Sequence, residues 1–262
     1  MKVTVIGSGN MGGALIRGLY KASESGKAEF QISATAKSQK TLDSIKADCP
    51  KVITSLDNEK AVQDADIIIL AVKPWTVGTV LDEVRKGLKS NCPILVSIVA
   101  NISSTELKSL IKLDIPCVYA MPNIAAEHGE SMTFIENTDD RSINEKVLAL
   151  FSCIGKAKLV SSQLMAPGMM MAGCGIAYVM RYIRASMEAG VEMGFYPADA
   201  KQIAIQTMRG AIAVLEQSGL HPEAAIDKVT TPGGITIKGL NELDHSQFNS
   251  AVIRSYKAGL SK

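Results

Sequence analysis

At 262 residues, with 47% hydrophobic and 21% charged side chains, the chain has apolar mass enough for a sizeable core and is not of disordered composition. A formal charge of +2 without a basic block speaks against nucleic acid or a membrane surface as partner. Five scattered cysteines (49, 92, 117, 153, 174) include no CxxC pair, which argues against a disulfide framework or a zinc site and fits a reducing, cytoplasmic setting.

The chain opens on β-formers, Val3, Thr4, Val5 and Ile6, so a signal peptide is not expected. The run breaks at Gly7, and Gly7-Ser8-Gly9-Asn10-Met11-Gly12 completes a GxGxxG. An apolar helical pattern follows through Ala14, Leu15 and Leu19. Strand, glycine turn and helix in that order suit a dinucleotide pyrophosphate. Gly7 permits the tight turn, Gly9 lets the backbone approach the phosphates, and Gly12 lets helix and strand pack closely. The N–H groups and dipole of the helix start then hold the anion. These six residues are the first candidate cofactor contacts; the alternative is a glycine turn that serves close packing alone.

Strand and helix alternate to about residue 155. Residues 31–36 read as the second strand, 40–47 as a helix, 52–54 as a short strand and 66–72 as an almost wholly apolar one. Residues 77–88 are helical and 94–99 form another buried strand. A helix capped by Ser103 or Ser104 covers 104–111, and 116–120 and 132–135 add two strands. Wholly apolar runs mark strands buried on both faces of a parallel sheet, and short alternating connections mark a doubly wound one. The expected class is α/β: a Rossmann domain over 1–158, then an all-helical domain over 159–262.

The end of the second strand selects the nucleotide. An acid there binds the ribose 2′-hydroxyl of NAD, whereas a base accommodates the 2′-phosphate of NADP. The strand ends Ala34-Thr35-Ala36-Lys37-Ser38, without a carboxylate. Lys37, Ser38 and Thr35 are the candidate phosphate contacts; NADP(H) is favoured and NAD(H) possible. A solvated loop lysine is the plainer reading of Lys37, and the missing acid weighs more than the lysine.

Past residue 160 no strand is expected. Ile176, Val179, Ile183, Met187 and Val191 follow helical spacing, as do Ile203, Met208, Ile212 and Leu215. Gly219 ends the second of these helices, and Pro222 suits the first residue of the next. Residues 164–180 carry no charge, but they are short of the roughly 20 apolar residues of a bilayer span and include Pro167, Gly168, Gly173 and Gly175. They read as a doubly buried segment. Eight of the twelve methionines fall between Met165 and Met208, which suggests a subunit interface filled by flexible thioethers rather than a plain monomeric core. His128, His221 and His245 suit solvated or capping roles, and no ligand cluster offers a metal site.

Further segments narrow the reading. Ala71-Val72-Lys73-Pro74 ends the fourth strand, Ser97-Ile98-Val99-Ala100 the fifth, and Met121-Pro122-Asn123 follows the sixth. Far downstream stands Val229-Thr230-Thr231-Pro232-Gly233-Gly234-Ile235-Thr236. In this order and spacing the chain resembles the pyrroline-5-carboxylate reductases, over nearly its whole length. The likeness includes residues 173–194, 200–210 with Gln206-Thr207, and His221-Pro222; the PGGxT segment is its most specific element and AVKP the next.

The resemblance implies reduction of the imine of pyrroline-5-carboxylate to L-proline with NAD(P)H. It also implies a helical domain that interlocks two subunits, with decamers in some members. Carried over by position, Ala71, Val72, Lys73, Pro74, Ala100, Pro122 and Asn123 join the cofactor contacts. The substrate carboxylate falls to the Thr231 hydroxyl and the backbone at Gly233, Gly234 and Ile235, while the Thr236 hydroxyl faces the ring nitrogen as the catalytic group. Apart from the family, two glycines after a proline at the start of an apolar helical pattern (Ile235, Ile237, Leu240, Leu243) form either an anion cradle or a tight interhelical turn with capping threonines.

The chain departs from the family pattern in three places. Ile124-Ala125 stand where Thr-Pro is usual, Gly173-Cys174-Gly175-Ile176-Ala177-Tyr178 where GSGPAY is usual, and Asn101 where a glycine is usual. The first alters the loop bordering the nicotinamide. The nearest rival is a β-hydroxyacid dehydrogenase, whose acid/base is a lysine on a helix of the second domain. Residues 172–194 hold Arg181 and Arg184 but no lysine. A catalytically altered NADPH-binding regulator is the other.

Overall fold

The structure, a computed structural model, describes residues 1–88 and 92–260; the last two residues of the expected helical domain lie outside them. Compact units run over Met1–Gly173 and from Cys174 onward.

In the first unit the chain runs β1 (Lys2–Ile6), α1 (Asn10–Glu24), β2 (Gln31–Thr35), α2 (Gln39–Asp48), β3 (Ile53–Ser55) and the single turn α3 (Asn58–Ala61). It continues as β4 (Ile67–Leu70), α4 (Val77–Gly87), β5 (Ile94–Ser97), α5 (Ser104–Ile111), β6 (Cys117–Met121), β7 (Ser131–Glu136), α6 (Arg141–Ser152), β8 (Gly155–Val160) and α7 (Ser162–Gly168). The eight strands lie in the order β3-β2-β1-β4-β5-β6-β7-β8. Every neighbouring pair is parallel except β6 and β7, so β7 and β8 run against the first six strands. The first six strands have the Rossmann order, with β1 and β4 meeting at the reversal point where doubly wound sheets take their ligands.

Strand periodicity divides the core between two faces. Val3, Val5, Ile67, Ile69, Val96 and Val118 point toward α1, α2 and α6, where Leu15, Ile16, Leu19, Ile45 and Phe151 pack against them. Ile6, Ile68, Leu70 and Leu95 point the other way, onto Val77, Leu81 and Val84 of α4 and Leu107 and Ile111 of α5. Ser103 is the cap of α5; its hydroxyl accepts the Glu106 N–H at 3.2 Å.

From Cys174 onward the described residues are helical: α8 (Gly175–Glu192), α9 (Pro197–Ser218), α10 (Pro222–Val229), α11 (Ile235–His245) and α12 (Phe248–Ala258). Gly219 closes α9 at φ +63°, and Pro222 opens α10 behind His221, whose Nδ1 accepts the Glu223 N–H. The tyrosines of α8 meet α12, Tyr178 edge-on to Tyr256 and Tyr182 to Phe248.

One expectation is corrected. Pro167 and the glycines do not interrupt the apolar segment: α7, a π turn over Met169–Cys174 and α8 form one helical run, Ser162–Glu192. Pro167 lies within α7, and the run widens to π geometry only after it. By length and composition alone it could cross a membrane, and 22% of its apolar window is buried. Leu164, Met171, Val179 and Met180 are more than 40% exposed, so the segment is not doubly buried within one chain.

Candidate functional site

The GxGxxG turn is built by exclusion. Gly7 sits at φ +95°, and a Cβ there would meet the Ala71 carbonyl oxygen at 2.6 Å and Val72 Cγ1 at 2.9 Å. A Cβ on Gly12 would run into the Gly7 carbonyl oxygen. Gly9 is different: it is exposed, and a Cβ there would touch nothing within 4 Å. Gly9 is also the N-cap of α1, with no side-chain cap and no acid in the first turn. A fifteen-residue helix therefore presents its first N–H groups and positive end to open space, which fits a diphosphate.

Around that turn the expected contacts differ in exposure. Asn10, Lys37 and Ser38 are exposed at the rim; Ser38 Oγ also caps α2, 2.9 Å from Thr41 Oγ1. Ser8 and Thr35 lie beneath it. Ser8 Oγ donates to the Thr35 carbonyl at 2.8 Å, and Thr35, 1% exposed, keeps a buried hydroxyl without a hydrogen-bond partner. Met11 packs partly against the core. Ala71 and Val72 abut Gly7, while Lys73 and Pro74 lead outward into a 3-10 turn, Pro74–Thr76.

The remaining loops of this edge are held from below. Ala100 is exposed after β5, and its neighbour Asn101 adopts φ +64°, the left-handed conformation that favours glycine. Burial raises the Tyr119 phenol above its usual pKa, opposed by a hydrogen bond from the Asn101 backbone. Pro122 and Asn123 are buried. Asn123 Nδ2 donates to the Ala172 carbonyl at 3.2 Å, its Oδ1 accepts the Ala125 N–H at 3.0 Å, and its own N–H reaches Ser131 Oγ at 3.1 Å. The Asn123 side chain thus ties the loop after β6 to the π turn.

Periodicity gave no sign of a second tie in the first unit. Glu136, 6% exposed, accepts the Ser162 hydroxyl at 2.6 Å and the Ser104 N–H at 3.3 Å, joining the starts of α5 and α7. Only the presence of a carboxylate at the end of an apolar strand hinted at it.

In the second unit, Thr231-Pro232-Gly233-Gly234 closes a turn in which the Gly234 N–H donates to the Thr231 carbonyl at 2.9 Å. Gly233 takes φ +72°, and a Cβ on Gly234 would stand 2.5 Å from Thr231 Oγ1. Gly234 caps α11 without a side chain, and the first turn again holds no acid. Because the turn occupies the Gly234 N–H, the donors open to an anion begin at Ile235. Thr231, Ile235 and Thr236 are all exposed, Ile235 by 86%. Glycine-opened, uncapped helix starts thus occur in both units. Among the described residues no cluster of three or more His, Cys, Asp or Glu could hold a metal ion.

A Rossmann sheet with an open phosphate turn, followed by helices with exposed apolar faces, defines a pyridine-nucleotide oxidoreductase with an oligomerising helical region. Residues 2–101 match the family described as NADP oxidoreductase, coenzyme F420-dependent, and residues 148–262 match pyrroline-5-carboxylate reductase dimerisation. Pyrroline-5-carboxylate reductase 1 of Dictyostelium discoideum is 37% identical over 96% of this chain, which spans about half (47%) of that relative's length. Pyrroline-5-carboxylate reductase 2 of the same organism is 35% identical, over 96% of this chain and 88% of its own. The solved structure of Plasmodium falciparum pyrroline carboxylate reductase with NADP bound is similar at a TM-score of 0.86 and 25% identity, covering 99% of this chain and 95% of that one. The chain belongs to the pyrroline-5-carboxylate reductase family.

Proposed function

We propose that the protein reduces the C=N bond of 1-pyrroline-5-carboxylate to L-proline, the last step of proline synthesis, with NADPH preferred over NADH. The observation that carries this reading is the uncapped start of α11 behind the Thr231–Gly234 turn, in a chain of this family. The rival dehydrogenase reading has no such support.

When bound, the reduced nucleotide supplies the hydride. The protein's share is position. The α1 start receives the diphosphate, Lys37 and Ser38 the 2′-phosphate, and the loops at Ala71-Val72-Lys73-Pro74, Ala100 and Pro122-Asn123 border the rest of the cofactor. The Thr231 hydroxyl and the Ile235 N–H hold the substrate carboxylate, with Gly233 and Gly234 clearing the approach. Thr236 hydrogen-bonds the ring nitrogen as it changes from imine to amine, and a protonated imine requires no stronger acid. Orientation of this kind can supply roughly 7–11 kcal/mol of a barrier. A second copy of the chain covers the exposed apolar face of Ser162–Glu192, giving a homodimer or a larger assembly up to a decamer. The scattered cysteines suit the cytoplasm.

Imine-dependent oxidation of NADPH and NADH by the purified protein tests the reading. Thr236→Ala should lower kcat/KM for the imine about tenfold or more while leaving NADP⁺ binding unchanged. A rate within about twofold of wild type removes Thr236 from the site. Absence of imine-dependent turnover with either nucleotide overturns the function.

A further inference from the structure

Trp75 is the chain's only tryptophan, and it stands 80% exposed. Its backbone is locked, because the Thr76 N–H and Thr76 Oγ1 both donate to the Lys73 carbonyl, at 2.9 and 2.8 Å. The turn is anchored on both sides, by the wholly buried β4 and by Val77, Val80, Leu81 and Val84 of α4. The same loop forms the wall of the phosphate turn through Ala71 and Val72. An exposed indole on a fixed backbone turn therefore stands on the loop that follows β4, at the carboxyl edge of the sheet where such folds bind ligands.

Its place in the sheet selects the ligand. β2 and β4 flank β1, so their ends are two strand spacings apart, about 10 Å. Lys37 and Ser38 stand just beyond the end of β2, and Trp75 in the turn Pro74–Thr76 that leads from β4 into α4. A ribose whose 2′-phosphate meets Lys37 carries its base across that gap. We propose that the Trp75 indole stacks on the adenine of the bound dinucleotide and forms one wall of its pocket. The proposal rests on the reading of the glycine turn as the nucleotide site.

With one tryptophan, emission excited selectively in the indole band, clear of the six tyrosines, reports on Trp75 alone. Titration with NADP⁺ or with 2′,5′-ADP should quench the emission and shield it from acrylamide, whereas nicotinamide mononucleotide should do neither. Trp75→Ala should raise the Kd of NADP⁺ and of 2′,5′-ADP about tenfold, within the range that base–aromatic stacking commands. Trp75→Phe should restore most of the affinity. NADP⁺ binding seen by calorimetry with Trp75 emission and accessibility unchanged overturns the stacking and leaves the nucleotide site standing. Calorimetry silent to both NADP⁺ and NAD⁺ overturns the nucleotide site itself. Shielding of Trp75 that follows protein concentration in the absence of nucleotide assigns the indole to a subunit contact and also overturns the proposal.

Discussion

Alanine at Gly9 and alanine at Gly12 should fail in opposite ways. At Gly12 the new Cβ falls far inside the 3.0 Å limit of real contacts against the Gly7 carbonyl and sits 3.0 Å from Ala71 Cβ. Helix α1 can escape only by moving as a body, which disturbs Ala14, Leu15, Ile16 and Leu19 in the core. Overpacking of this kind costs about 1–3 kcal/mol, and at roughly 2–4 °C per kcal/mol for a chain of this size the melting temperature should fall by about 2–12 °C. At Gly9 the backbone (φ −70°, ψ −160°) suits any residue and the Cβ meets no protein atom. Stability should change by less than about 1 kcal/mol, because the narrower unfolded ensemble of alanine, about 0.4–1 kcal/mol, is offset by its poorer N-capping of α1. The methyl group nevertheless fills the space through which a diphosphate approaches α1, so the Kd of NADP⁺ should rise at least about tenfold, or about 1.4 kcal/mol. Calorimetric melting and NADP⁺ titration of both variants separate the two effects. Wild-type NADP⁺ affinity in a folded Gly9→Ala protein would refute the assignment of the open space to the phosphates. An unshifted melting temperature in Gly12→Ala would refute the packing argument.

Lys37→Glu should raise KM for NADPH far more than for NADH, since the change places a carboxylate against the 2′-phosphate; equal effects on both nucleotides remove Lys37 from the site. Asn123→Ala leaves the Ala172 carbonyl and the Ala125 N–H without their partner, at about 1–3 kcal/mol for each buried group stranded. Thermal melting should show the loss, and an unchanged midpoint would mean that water replaces both bonds. Asp140 caps α6, and hydrogen bonds from the Ser142 hydroxyl first, then from the Ile143 and Ser142 N–H groups, hold its pKa below the usual value. A depressed folded pKa contributes stability above the ordinary carboxylate range and loses it as pH falls through the folded value. The melting gap between wild type and Asp140→Ala should therefore be full at neutral pH and narrow in strong acid; a gap constant across that span contradicts the capping role.

Much of the first unit is legible because its signals are short-range. Val3 to Ile6, residues 66–72 and residues 94–99 are runs that only a doubly covered sheet can bury, and Gly7, Gly9 and Gly12 each answer a separate steric demand. The reading failed where burial is partial. Gly155–Val160 alternates Lys156 and Lys158 with half-buried residues, as expected of an edge strand, and so carried no apolar signature. Residues 164–180 read as a doubly buried segment, whereas the helix leaves Leu164, Met171, Val179 and Met180 exposed in the single chain. At Asn101 the chain keeps the left-handed backbone, φ +64°, with a residue that tolerates it better than most side chains, a conformation that no local pattern announces. The same holds for Asn123, whose partner in the π turn is forty-nine residues away.

Local chemistry, then, set what the chain alone determines: alternating strands and helices, two glycine-opened helix starts, and a second-strand end without an acid. Those features depend on neighbours within one turn or one strand, where φ, side-chain size and polarity act directly. Folding decided which groups remain available. It buried Thr35 and Ser8, turned Asn123 inward, used the Gly234 N–H to close its turn, and left Trp75 and the face of Ser162–Glu192 uncovered within the single chain. Whether a donor is satisfied or an apolar side chain is covered depends on partners tens of residues away, and their approach exists only once the sheet and helices have packed.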